Sequence, residues 1–78
     1  MVPENDVENS ITLSPNPGKE KITISGILNQ EEYTITNMLG QKVQLGIVFP
    51  EESIFIDKLS AGLYSITIQQ TILKFIKE

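Results

Sequence analysis

The chain has 78 residues and a formal net charge of −4, and its six basic residues are all lysine. This length suits one small domain, and twelve isoleucines and six threonines beside a single alanine favour strands over helices. An acidic chain without arginine argues against nucleic acid as a partner, and no apolar run is long enough for membrane insertion.

Near its beginning, the chain changes from a polar stretch to a strand pattern. Residues 1–9 are acidic and contain one proline, so we expect a linker that lacks the apolar segment of a signal peptide. From Ser10 to Ser14 apolar and polar residues alternate, which predicts a first strand. The sequence Pro15-Asn16-Pro17-Gly18 ends this strand, because proline cannot donate a hydrogen bond to a ladder and Gly18 relieves the turn.

The rest of the chain repeats this alternation between turn residues. Six further strands are predicted, around Ile22–Ile24, Tyr33–Asn37, Val43–Ile47, Ile54–Ile56, Tyr64–Ile68 and Ile72–Lys77. Residues 26–32 are predicted to be a connection. Seven short strands of this kind predict an all-β fold, a seven-stranded antiparallel immunoglobulin-like β-sandwich with Greek-key connections, in one domain at residues 10–78.

The residue types that carry most chemistry are missing. There is no histidine and no cysteine, so no catalytic triad, disulfide or thiolate metal site is expected. The pairs Glu31-Glu32 and Glu51-Glu52 are interpreted as solvated turn residues, with a weak Ca²⁺ site as the alternative. Asp57 is interpreted as a turn cap. We therefore expect no catalytic residue and no cofactor.

Three short motifs have clear structural roles. In Leu59-Ser60-Ala61-Gly62-Leu63-Tyr64, we expect Tyr64 to form the tyrosine corner of a Greek-key sandwich, with Leu59 packed on the core and Gly62 in an unusual backbone angle. Pro15-Asn16-Pro17 stiffens the exit from an edge strand. Gly40, within Met38-Leu39-Gly40-Gln41-Lys42-Val43, supplies the positive φ of a hairpin tip.

In this order, the motifs resemble the type A C-terminal sorting domain of proteins exported by the bacterial type IX secretion system. The resemblance covers about residues 10–78, and Ser14 departs from it, because the family usually has an aromatic or apolar residue there. It implies a label without catalytic activity, attached to an N-terminal cargo domain. It also implies passage through the periplasm, recognition by an outer-membrane translocon, removal by a sortase-like peptidase, and a final location at the cell surface or outside the cell.

The final strand has two interpretations. Its lysines protect an exposed edge from pairing with other chains. By resemblance, the strand also belongs to the surface that partners recognise. That surface is expected to include Lys74, Phe75, Ile76, Lys77 and Glu78. An exposed edge is also compatible with a weak dimer.

Two other functions remain open from the residues alone. One is an immunoglobulin- or fibronectin-like spacer or interaction module that binds carbohydrate or protein. Tyr33 and Tyr64 fall on predicted core faces, so Phe55 is the aromatic residue that points away from its isoleucine neighbours, either into solvent or into the other layer. The other is a plain structural domain without a separate partner.

Overall fold

The structure, a computed structural model, describes residues 11–78, so the predicted linker at residues 1–9 lies outside the described residues. The described residues form seven antiparallel strands in two sheets. The strands are β1 (Thr12–Ser14), β2 (Lys21–Ser25), β3 (Glu31–Thr36), β4 (Lys42–Val48), β5 (Ser53–Phe55), β6 (Gly62–Ile68) and β7 (Thr71–Lys77). Nothing in residues 11–78 forms a helix with the length and apolarity that a bilayer crossing requires.

The strand order gives the sandwich its connections. One sheet has the order β1-β2-β5 and the other the order β4-β3-β6-β7. The chain changes sheet between β2 and β3, between β4 and β5, and between β5 and β6, as in a Greek-key sandwich. The all-β immunoglobulin-like prediction is therefore confirmed.

The core follows from the period of two along each strand, because alternate side chains point to opposite faces. One buried cluster collects inward side chains from both sheets. Its fully buried members are Ile22, Ile24, Ile35, Val48, Ile56, Ile66, Ile68 and Phe75. Leu13, Leu59 and Leu73 pack against its margin.

Several predicted strand limits differ from the observed ones by one or two residues. Ile11 and Ile56 lie outside β1 and β5, although both side chains are buried. Asn37 lies outside β3, because its backbone and its side chain both form hydrogen bonds with the following turn. Glu31 begins β3 and is paired with Val48, so the predicted connection at residues 26–32 is shorter than expected.

The apolar face of β4 lies on the outside of the sandwich. Val43, Leu45 and Ile47 share one face as predicted, and all three are exposed. The inward positions are Gln44, Gly46 and Val48, of which only Val48 is fully buried. The Tyr33 ring occupies the space opposite Gly46, since a Cβ atom there would lie 2.9 Å from the Tyr33 hydroxyl oxygen.

Candidate recognition surface

The corner before β6 is a tyrosine corner. The Tyr64 hydroxyl donates a hydrogen bond to the Ser60 carbonyl oxygen at 2.6 Å, and Leu59 packs on the core margin as predicted. The Tyr64 ring also stacks on Phe75, with centroids 5.7 Å apart. Gly62 has a φ of 158°, a backbone conformation that L residues rarely adopt, so the predicted unusual backbone angle is confirmed. The corner therefore fixes β6 against β7.

The Pro15-Asn16-Pro17 segment contacts the last strand, which sequence reasoning did not predict. Asn16 Oδ1 accepts a hydrogen bond from the Ile76 N–H at 2.9 Å, and Asn16 Nδ2 donates to the Lys74 carbonyl oxygen at 3.4 Å. The segment thus covers part of the outer edge of β7 in addition to ending β1. Backbone N–H and C=O groups of an edge strand that already have hydrogen-bond partners are poor templates for pairing with another chain.

Gly18 continues this contact. It forms a parallel bridge with Lys77, donates its N–H to the Ile76 carbonyl oxygen, and accepts from the Glu78 N–H, both at 2.8 Å. Gly18 is buried, and a Cβ atom there would lie 2.9 Å from Ile22 Cγ2. The glycine therefore permits close backbone approach to β7, whereas the sequence suggested only relief of a turn.

The side chain of Asn37 stabilises the turn that joins β3 and β4 in the hairpin. Asn37 Oδ1 accepts from the backbone N–H groups of Leu39 and Gln41, at 2.9 and 3.0 Å. Gly40 has a φ of 84°, so the predicted positive φ at the tip is confirmed. Met38 and Leu39, at the tip, are 72% and 81% exposed. Sequence reasoning missed these two side chains, although two large apolar residues inside a turn were the available signal.

The five predicted recognition residues of β7 divide between its two faces. Phe75 is fully buried and Lys77 is buried, with its Nζ donating to the Glu78 main-chain oxygen at 2.9 Å. Lys74, Ile76 and Glu78 are exposed. On the folded domain, these three side chains of the five are accessible from solvent, while Phe75 and Lys77 face the interior.

Serine and threonine fill the middle of the outer face of the four-stranded sheet. Thr34 and Thr36 on β3 are paired with Thr67 and Ser65 on β6, and all four are half-buried. The next pair in one row is Ser65 with Lys74 on β7. A shallow pocket of about 250 Å³ lies at this end of the face, and Met38, Leu63 and Lys74 are among its lining residues.

The carboxylate pairs do not assemble a metal site among residues 11–78, where no group of three such ligands comes together. Glu31 Oε2 accepts a hydrogen bond from Gln69 Nε2 at 2.9 Å, and Glu51 and Glu52 are exposed. Asp57 is exposed in the turn after β5. Phe55 is 65% exposed, so it points into solvent and not into the other layer.

Comparison with known proteins gave one family. The model of a family described as "Secretion system C-terminal sorting domain" matches residues 12–78, which is most of the chain. A search of curated proteins found no match to this sequence. The matched region includes the Asn16 contact, the Asn37 turn and the Tyr64 corner.

Proposed function

Since this chain belongs to the family of secretion system C-terminal sorting domains, we propose that it is a folded label that partners handle without any catalysis of its own. The family directs cargo proteins through the type IX secretion system, and the chain accordingly serves export to the cell surface or the extracellular space. An N-terminal cargo and the secretion machinery are the partners that such a domain implies.

The family match across nearly all of the fold carries this proposal. Its physical support is the way in which the motifs converge on one strand. Asn16 and Gly18 bond the outer edge of β7, and Tyr64 stacks on Phe75 from β6. A strand held on two sides offers a fixed shape, which suits recognition by shape and polar contacts.

The proposal includes the steps of recognition and of separation from the cargo. The outer-membrane translocon recognises the folded domain, and a sortase-like peptidase then separates it from the cargo, with the junction in residues 1–9. The exposed part of β7 available to a partner is Lys74, Ile76 and Glu78. Strand addition along β7 is restricted near Ile76, because the Pro-Asn-Pro-Gly segment already bonds this edge.

The test is a secretion assay with a reporter enzyme fused upstream of the chain. In a host with the type IX system, we expect reporter activity outside the cells, and none from the same fusion in a strain without the translocon. Deletion of residues 74–78 should abolish export. Circular dichroism of the shortened chain is the control, because the deletion also removes Phe75 from the core. Equal export by both strains would refute the proposal.

Carbohydrate binding is the second candidate, favoured by the exposed ring of Phe55 in the three-stranded sheet. Aromatic faces stack on sugar rings, whereas Tyr33 and Tyr64 are buried and cannot do so. Concentration-dependent binding on a glycan array that is lost in Phe55→Ser would favour this candidate over the sorting label.

A further inference from the structure

We propose that Met38, Leu39, Leu63, Ile76 and Lys74 form one docking surface, called here the tip surface, for a protein that offers an apolar pocket bordered by carboxylates. This inference rests on the proposed function, because the partner is taken to be a protein of the secretion machinery. It adds the place of contact and the chemistry of the partner.

The tip surface is contiguous. Met38, Leu63 and Lys74 line one shallow pocket, Leu63 is paired with Ile76 across β6 and β7, and Leu39 follows Met38. The exposed fractions are 72% for Met38, 81% for Leu39, 38% for Leu63 and 47% for Ile76. A single exposed apolar side chain is ordinary, whereas a cluster of them marks a site of interaction.

The turn holds its two apolar side chains ready for contact. Besides the two bonds from Leu39 and Gln41, the Asn37 N–H donates to the Gln41 carbonyl oxygen, and Asn37 Nδ2 donates to Gln41 Oε1. The Gly40 N–H closes the turn on the Asn37 carbonyl oxygen at 3.0 Å. Because the backbone under Met38 and Leu39 is already held by these bonds, the turn loses little conformational entropy when a partner binds.

The charges at this end of the sheet indicate an acidic partner. Lys42 and Lys74 lie in one row across four strands, since Lys42 is paired with Thr36, Thr36 with Ser65, and Ser65 with Lys74. Three strand spacings separate their Cα atoms by about 14 Å. The Glu31-Glu32 pair lies at the opposite end of β3. Two cations beside an apolar patch match carboxylates at the border of an apolar pocket.

A protein fits this surface better than an anionic membrane does. Binding to anionic lipids generally uses clusters of about 4–8 basic residues. The tip surface has Lys74, with Lys42 beside it, in a chain whose net charge is −4.

The experiment compares two apolar double variants of the reporter fusion and adds two charge variants. Met38→Ser/Leu39→Ser removes the apolar tip, and Leu28→Ser/Phe55→Ser removes apolar side chains that are 88% and 65% exposed elsewhere. We expect the first to lower the exported fraction at least about tenfold, as when an interface hot spot is lost, and the second to stay within about twofold of the parent. Lys74→Glu/Lys42→Glu should also lower export, whereas Lys19→Glu should not.

The results distinguish failure of the tip surface from failure of the sorting function. Thermal unfolding followed by circular dichroism first establishes that both apolar double variants of the isolated chain fold. Export of the folded Met38→Ser/Leu39→Ser fusion at the parent level would overturn the tip surface and leave the sorting function standing. An equal loss of export in both apolar double variants would overturn it as well. Failure of the parent fusion to be exported would refute the sorting function itself.

A membrane as the occupant is tested directly. The purified chain is mixed with vesicles of phosphatidylglycerol and phosphatidylethanolamine and separated by flotation. We expect the chain to stay with the soluble fraction. Flotation that is lost in Met38→Ser/Leu39→Ser would overturn the assignment to a protein partner.

Discussion

The backbone N–H of Ile76 donates a hydrogen bond to Asn16 Oδ1 at 2.9 Å, although the two residues are 60 positions apart in the chain. This bond joins the segment after the first strand to the outer edge of the last one. The bonds of Gly18 extend the contact to Glu78. The first and last described parts of the chain therefore close the sandwich together.

Asn16→Ala should loosen this closure. The variant removes the acceptor of the Ile76 N–H, so we expect a loss of about 1 kcal/mol in the free energy of unfolding, the usual effect of one such bond. Hydrogen exchange of the Ile76 amide should become faster than in the parent. Asn29→Ala, at an exposed position between β2 and β3, is the matched control. Unchanged exchange at Ile76 would show that the bond does not hold β7.

Tyr64→Phe should destabilise the domain through the corner alone. It removes the donor to the Ser60 carbonyl oxygen and keeps the ring against Phe75, so we expect a loss of about 1–1.5 kcal/mol. Tyr33→Phe is the comparison. It removes the hydroxyl that accepts a hydrogen bond from Gln44 Nε2 at 3.0 Å. It should cost less than Tyr64→Phe, because Gln44 Nε2 keeps its other bond, to the Phe55 carbonyl oxygen at 2.9 Å. Urea unfolding measures both losses, provided that the unfolding free energy falls with urea concentration at the same slope in both variants. Equal losses in the two variants would contradict the role of the corner.

Gly46→Ala should strain the contact between β3 and β4. Its Cβ atom would lie 2.9–3.0 Å from three atoms of Tyr33, so we expect a loss of about 1–3 kcal/mol, typical of overpacking. Gly40→Asn is the control, because no atom lies within 4 Å of a Cβ there and asparagine tolerates positive φ. Urea midpoints that are the same for Gly46→Ala and the parent would show that the ring moves aside freely.

Phe75→Ala and Ile76→Ala should separate folding from recognition. Phe75 is fully buried, so its truncation should cost about 3–5 kcal/mol, enough to unfold a domain of this size. Ile76 is 47% exposed, and its truncation should cost about 0.5–1 kcal/mol. Thermal unfolding measures both losses. A stable Phe75→Ala variant that is not exported would show that Phe75 acts in recognition after all.

Much of the fold could be predicted because its signal is local. Isoleucine alternates with polar residues along β2 and β6, and the chain turns where glycine, proline and asparagine occur. The tyrosine corner was also predictable, since the Tyr64 hydroxyl reaches an acceptor only four residues upstream. The strand limits were less certain, because Ile11 and Ile56 are buried without belonging to a strand.

The candidate recognition surface was predicted only in part. The predicted residues Lys74 to Glu78 come from one strand and include side chains from both of its faces. Burial restricts the accessible ones to Lys74, Ile76 and Glu78. The apolar tip at Met38 and Leu39 was treated only as a hairpin motif, because the sequence does not reveal how far a turn projects from the sheets.

By itself, the sequence determined that this chain forms short amphipathic strands, where they turn, and to which family they belong. Only the tertiary structure decided which face of β4 meets the core and which edge Asn16 covers. The physical reason is that alternation shows that a strand has two unlike faces without showing what lies opposite each. Tyr33 fills the space at Gly46, which leaves Val43, Leu45 and Ile47 outside. Such choices depend on residues that are distant in the chain and adjacent only after folding.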